Sequence, residues 1–365
     1  MLFQQQPYKD TTVAFLFLNH RRKRGTKMKN KGLIFTVVAL FLSITIGFFY
    51  EQRAQKPATN PNEAVQYTVG LLQFVSHPAL DEITRGVKEG LQERGLIEGE
   101  NLTLLFQNGQ ADQSKLTTMS QQLINQGSQV LIGIATPAVQ ALANETTEIP
   151  VILGAVTDPV GAGLIADMEN PGGNLTGVSD KAPVLEQLTV AKKLLPQAKT
   201  VGILYSSGED NSIYQVEEAK QAAEGLGLSV ETFAVPSATE IRQIVQVMAS
   251  QVDFIYIPLD NTIANAMPAV VTEANKTKTP IIPSVDTMVQ EGGLATVGIN
   301  QFQIGYQTGL MAASILKGEK ETATTPVYTF DEGDLIINET QAALLGIEIP
   351  AALKETATLI GGEEE

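Results

Sequence analysis

Two stretches about 130 residues apart, "TVGLLQF" at 68–74 and "TVGILYS" at 200–206, are near copies of one apolar strand. Each opens the same alternation of short apolar runs and amphipathic segments. After the first comes "PALDEITRGVKEGLQERG" (78–95), with Leu80, Ile83, Val87 and Leu91 at helical spacing and Gly95 at its end. Then follow "NLTLLFQ", "QSKLTTMSQQLINQG", "QVLIGI", "PAVQALAN" and "PVILGAV". Strand-length and helix-length runs in turn predict parallel sheets, because parallel strands need a crossover between them. The second half repeats the order: "QVLIGIATPAVQ" returns as "FIYIPLDNTIAN", and "IPVILGAVTDPV" as "TPIIPSVDTMV". The pattern predicts an α/β fold of two doubly wound parallel-sheet lobes with a hinge and a central cleft. "NLTGVSD" (174–180), "LATVGINQFQIGYQTGLMAASILKG", "VYTF" and "LIINE" read as strands and one helix that cross between the lobes. The expected division is 67–178 plus about 303–325 for lobe 1, and 179–302 plus about 326–360 for lobe 2.

The segment ahead of this body has a different character. "GLIFTVVALFLSITIGFFY" (32–50) carries no charge and as a helix would be roughly 28 Å long, about the hydrocarbon thickness of a bilayer. "RRKRGTKMKNK" precedes it and supplies a positive cytoplasmic flank. One transmembrane helix, with a cytoplasmic N-terminus before it and a polar tether (51–66) after it, is therefore expected. A cleaved signal peptide is the alternative, although the run ends in bulky "FFYEQR" rather than small residues. Met28, at the head of "MKNKG", is an alternative start.

Charge separates the same two parts. Residues 1–66 hold ten Lys or Arg against three Asp or Glu, net +7, and the remainder holds fifteen against thirty-seven, net −22. An acidic body repels phosphates, so nucleic acid is not an expected partner. There is no Cys and there are two His, which removes disulfides, thiol catalysis and Cys- or His-rich metal sites. No cofactor or metal is expected.

In open α/β sheets, ligands sit beyond the carboxyl ends of the strands. Those loops bring Phe74, Ser76 and His77, then Ala135 and Thr136, then Asp158, from the first half. From the second they bring Ser206, Ser207, Asn211 and Ser212, then Asp260 and Asn261, then Asp286, with Ser179 in the crossing segment. Hydroxyls, amides and carboxylates dominate, and the loops hold no Lys or Arg. Thr136-Pro137 and Asp158-Pro159 also fit an N-cap followed by Pro at the first helical position. Asn261 and Asp286 fit caps as well. Several helix N-termini with free N–H groups, beside a carboxylate, suit a zwitterion such as an amino acid. Asp158 is the expected partner of its ammonium, with Asp286 or Asp260 as substitutes. Phe74, His77 and Tyr205 are candidates for a ring pocket. No G-x-S-x-G, Walker or G-x-G-x-x-G motif is present. Only His77 could serve a triad in the body, and a carboxylate dyad of Asp158 and Asp286 would bridge the halves. The chain is not expected to be an enzyme.

Over Tyr67 to about Glu348 the chain resembles the extracytoplasmic substrate-binding proteins of ABC importers, in the tryptophan or aromatic amino-acid binding group. The similar stretches are "GLLQFVSHPALDEITRGVKEGL", "LIGIATPAVQALA", "PVILGAVTDPVGAGL", "NLTGVSD" and "IPLDNTI". The resemblance implies a type I periplasmic-binding-protein fold that closes on its ligand, a non-catalytic monomer, and an ABC permease with ATPase subunits as partners. It places the loops at Thr136, Asp158, Asn211, Asn261 and Asp286 along the cleft. Tryptophan or another aromatic amino acid is the implied ligand, with another hydrophobic amino acid or a nucleoside-like heterocycle as alternatives. Most relatives are lipoproteins or periplasmic, and this chain lacks the lipid-accepting Cys, so the apolar segment would anchor the body outside the cell membrane, as on a Gram-positive surface. A membrane-anchored sensor for a separate kinase is the other class. A sugar-responsive repressor of this fold would need a helix-turn-helix where the apolar segment stands.

Overall fold

A computed structural model describes residues 65–362. The membrane span expected at 32–50 and nearly all of the tether lie outside them. Among the described residues no helix is long and apolar enough to cross a membrane.

The first sheet is entirely parallel, in the order β2-β1-β3-β4-β5. Its strands are β1 (Tyr67–Gln73), β2 (Leu102–Asn108), β3 (Val130–Ile134), β4 (Val151–Gly154) and β5 (Leu175–Val178). The helices between them are α1 (Pro78–Glu93), α2 (Gln113–Asn125) and α3 (Thr136–Glu145). β3 and β4 are buried at every residue, as strands covered on both faces must be, and this is why they read as unbroken apolar runs. β2 lies on the edge, and most of its residues keep some exposure.

α1 follows from its sequence. Pro78 fits the first turn, where an N–H would have no helical partner. Leu80, Ile83, Val87 and Leu91 point inward and are at most 4 % exposed, each worth about 1.5–3 kcal/mol of burial. Gly95 ends the segment at φ +72°, a conformation glycine adopts without a steric penalty.

Helix α4 (Val184–Leu194) leads into the second sheet, whose order is β7-β6-β8-β9. It comprises β6 (Thr200–Ser206), β7 (Ser229–Val235), β8 (Phe254–Ile257) and β9 (Ile281–Pro283). Helices α5 (Asp210–Gly225), α6 (Ile241–Met248), α7 (Asn261–Asn265) and α8 (Met267–Thr277) connect them, and α9 (Asp286–Gln290) follows β9.

A third, smaller sheet completes the chain. β10 (Ala295–Gly298) pairs antiparallel with β11 (Asp334–Asn338), and β11 pairs parallel with β12 (Thr358–Ile360). Between β10 and β11, α10 (Gln301–Leu316) returns to the first sheet and packs on α1, β4 and β5. Helices α11 (Glu339–Leu345) and α12 (Ala351–Lys354) lie between β11 and β12. "VYTF" forms no strand of its own. Tyr328 makes a single bridge to Val178, with its N–H on the Gly177 carbonyl at 2.8 Å.

α1 and α10 meet with almost no side chain between them. Gly86 and Gly90 of α1 face Gly305 and Gly309 of α10. A Cβ on Gly305 would stand 1.9 Å from the Ile83 carbonyl oxygen, and one on Gly86 would stand 2.2 Å from that of Phe302. "GVKEG" and "GYQTG" thus let two backbones touch, and this contact ties α10 to the first sheet.

Candidate ligand-binding cleft

β3 and β4 are each followed by an alanine with positive φ, Ala135 at +74° and Ala155 at +63°. Ala135 has ψ 152°, a region almost confined to glycine, where strain of about 1–3 kcal/mol is typical. The turn at Ala135 points the start of α3 into a cavity between the carboxyl ends of the two large sheets. That cavity is narrow, with a volume of about 20 Å³. From the first sheet's side it is lined by His77, Leu80, Ala135, Thr136, Ala155 and Thr157, and from the second's by Asn211, Leu259, Asp260, Asn261, Ala264 and Val285. Asp180 and Gln301, where the chain passes between the sheets, complete it.

Asp180 follows β5. Its Oδ1 accepts from Thr157 Oγ1 at 3.0 Å, and Oδ2 has no partner among the described residues. With no positive charge beside it, burial pushes the carboxyl up to about 6. Asp260 is better satisfied. Its Oδ2 accepts from the Ser206 N–H at 2.5 Å and Ser212 Oγ at 2.8 Å, and its Oδ1 from the Ile263 N–H at 2.8 Å. Burial first, and then the charge of Glu209, still raise its pKa.

Glu209 lies behind this wall. It accepts from Asn261 Nδ2 and Thr262 Oγ1 at 2.6 Å each, and from the Thr262 N–H at 2.8 Å. The Asn261 amide is thereby oriented, and its Oδ1 faces His77 Nε2 at 3.3 Å. Burial holds His77 below its ordinary pKa, so the ring is neutral and Nε2 carries the hydrogen. This contact crosses the cleft. Two more cross near its mouth: Gln113 Nε2 donates to the Gly208 carbonyl at 2.7 Å, and Gln140 Nε2 to Asp210 Oδ2 at 2.8 Å.

Two buried polar atoms in the cavity have no partner among the described residues, Thr136 Oγ1 and Asn211 Oδ1. Thr136 is 2 % exposed and opens α3, so its N–H lacks a helical partner too. The Asn211 amide cannot turn over. Its Nδ2 donates to the Leu259 carbonyl at 2.7 Å and lies near Glu209 Oε2, and reversal would set oxygen against oxygen. Buried polar atoms are nearly always satisfied, so these two are open to a partner that the described residues do not supply.

Of the residues singled out from sequence, His77, Ala135, Thr136, Asn211, Asp260 and Asn261 line this cavity. Asp158 lies outside it, on a crevice at the mouth shared with Thr136 and Asn211. Its Oδ1 accepts from the Gly161 N–H at 2.9 Å, and a Cβ on Gly161 would collide with Oδ2. Asp158 therefore closes its own turn. Ser206 and Ser212 hold Asp260, while Ser207 bonds the Val235 carbonyl. Ser76 bonds Asp81, and Ser179 bonds the Thr157 carbonyl. Asp286 accepts from the Thr287 N–H at 2.8 Å, and burial raises its carboxyl. Phe74 belongs to the core of the first sheet and Tyr205 packs on that of the second. Neither stacks in the cavity. Asp180 was missed, although the rule that ligands follow strand ends applies to it: it stands two residues after β5.

Three comparisons bear on this site. A family model described as ABC transporter substrate binding protein matches residues 68–360. A tyrosine-binding protein of Clostridioides difficile (strain R20291) is 34 % identical over 316 residues, covering 86 % of this chain and 91 % of the relative. The structure of an ABC domain in complex with L-Trp, from Streptococcus pneumonia, is 49 % identical with a TM-score of 0.79, covering 80 % of this chain and 99 % of that one. Over the same shares, the ligand-free, open structure of a substrate-binding protein with adhesive properties from Clostridium difficile is 36 % identical, with a TM-score of 0.63.

Proposed function

Because the chain belongs to the ABC transporter substrate-binding proteins, an extracytoplasmic family, we propose that it binds an aromatic amino acid in the cavity between its two large sheets and delivers it to a permease. The observation that carries this reading is the placement of Asp180 and the start of α3 in one cavity between the two large sheets, whose walls must part for a ligand to enter. Asp180 takes the ammonium. Thr136, through its hydroxyl and N–H at the helix N-terminus, takes the carboxylate. His77, Leu80, Ala264 and Val285 offer the ring a flat or apolar surface. The relatives that bind tyrosine and L-Trp support an aromatic ligand. In this reading residues 67–178 with about 303–325 form one lobe, and 179–302 with about 326–360 the other. The chain crosses between them near 180, 300 and 329, and those crossings form the hinge. The bonds of Gln113, Gln140 and His77 across the cleft hold the closed state. The segment at 32–50 anchors the body to the membrane.

Calorimetry of the full chain against the twenty amino acids tests the assignment. Tyrosine and tryptophan should bind most tightly, and a preference for leucine or for a nucleoside would overturn it.

Affinity should also depend on pH, through Asp180. Only its ionised form pairs with an ammonium, and its carboxyl sits up at about 6 without ligand. Affinity should be flat above pH 7 and fall about tenfold by pH 5. The stability of the ligand-free protein moves the other way. A carboxyl raised above its unfolded value favours the fold most at low pH, and that contribution is lost as pH rises through about 6. A binding constant unchanged between pH 7.5 and 5 would remove Asp180 from the ammonium site.

A further inference from the structure

The charges around the cavity are one-sided. Asp180 and Asp260 are its ionisable lining groups besides the neutral His77, and Glu209 stands directly behind Asn261. No Lys or Arg is among the lining residues. Lys181, the nearest basic residue in sequence, pairs with Glu218 and sits over the Tyr214 ring in a separate pocket. An anionic group in the cavity thus meets dipoles only, at Thr136 and the start of α3, inside a field set by carboxylates. A cationic group meets Asp180 Oδ2, which is open, and the fixed acceptor Asn211 Oδ1. The Asn211 amide is locked by its bond to the Leu259 carbonyl, so it accepts from a ligand and cannot donate to one. The buried orphan acceptor and the open carboxylate oxygen both ask for N–H donors.

The two ends of an amino acid should therefore contribute unequally. A carboxylate at a helix N-terminus is worth typically twofold to sixfold in affinity, and up to about thirtyfold where partly buried. An ammonium on a desolvated carboxylate is worth roughly thirtyfold to several thousandfold. We propose that the cavity is a receptor for aromatic ethylamines as well as aromatic amino acids: the ammonium and the ring suffice for binding, and the carboxylate is dispensable. The inference rests on the amino-acid reading for the position of the ring, but it concerns a different class of ligand, organic cations without an acidic group. Its mirror image is exclusion. A deaminated aromatic acid brings an anion toward Asp180 and Asp260 and leaves Asn211 Oδ1 unpaired.

Calorimetry of the full chain at pH 7.5 with two ligand series tests this. One is L-tyrosine, tyramine and 3-(4-hydroxyphenyl)propionate. The other is L-tryptophan, tryptamine and indole-3-propionate. In the series whose amino acid binds, the amine should bind within about thirtyfold of it, and the deaminated acid at least a hundredfold more weakly than the amine. An amine weaker than its amino acid by more than about a hundredfold overturns the proposal, as does a deaminated acid that matches the amine. If neither amino acid binds but an amine does, the amino-acid reading falls and the amine proposal stands. If no amine binds, the proposal falls whatever the amino acids do. Asp180→Asn adds a second readout: it should weaken the amine at least thirtyfold and narrow the gap between amine and acid. A gap that stays the same in a folded variant would count against Asp180 as its source.

Discussion

Asp180→Asn should lower affinity for the amino acid by about 2–4 kcal/mol, or roughly thirty- to a thousandfold, while leaving the fold intact. The loss arises because an ammonium drawn into a closed cavity exchanges its water for Asp180 Oδ2, and an amide oxygen there carries no charge. The fold is spared because the carboxylate has one side-chain donor, Thr157 Oγ1 at 3.0 Å, which an Asn oxygen can accept as well. Burial already disfavours the ionised carboxyl in the ligand-free protein, so the melting temperature at pH 7.5 should hold or rise. Asp158→Asn is the matching control. Its carboxyl closes the turn to the Gly161 N–H, a task Asn performs well, and affinity should stay within about threefold. Titration calorimetry and thermal melts on both variants separate the cases. Full affinity in Asp180→Asn, with loss in Asp158→Asn, would move the ammonium to the mouth of the cleft.

Gly305→Ala should destabilise the protein by on the order of 2–4 kcal/mol. Its new Cβ would stand 1.9 Å from the Ile83 carbonyl oxygen, a backbone atom that cannot turn aside, so α1 and α10 must separate along their length. Overpacking of this kind typically costs about 1–3 kcal/mol and at times more, and the gain of about 1 kcal/mol in helix propensity offsets part of it. Separation would also strip burial from Ile83 and Val87, both fully buried on α1. The melting temperature should fall roughly 3–6 °C. Gly225→Ala, at the end of α5 where a Cβ meets nothing within 4 Å, should be neutral or stabilising by a few tenths of a kcal/mol. Equal melting temperatures for wild type and Gly305→Ala would show that the two helices are not in backbone contact.

These two sites differ in how far the sequence discloses them. The glycines stand at i and i+4 in "GVKEG" and "GYQTG", and each pair alone reads as a tolerated weakness in a helix. What makes them necessary is that α10 returns to α1 across more than two hundred residues, and no local pattern carries that information. Asp180 is hidden for a related reason. Its segment, "NLTGVSD", reads as a crossing strand, and its local pattern gives the carboxylate that ends it no role, whereas Asp158 stands before a proline.

The alternation of strands and helices, the internal similarity of the halves and the stretches typical of a family were set by the sequence, because spacing and turn residues act over a few neighbours. So were the loops that contribute to the cavity, since a parallel strand delivers its C-terminal residues to one known edge. The direction of each side chain on those loops was decided by the tertiary structure. Asp158 turns back because Gly161 offers a nearer N–H. Phe74 and Tyr205 go to cores because burial there removes more apolar surface from water than the cavity would. Asp180 faces the cavity because β5 ends beside Thr157, and among the described residues no Lys or Arg lines the cavity to neutralise it.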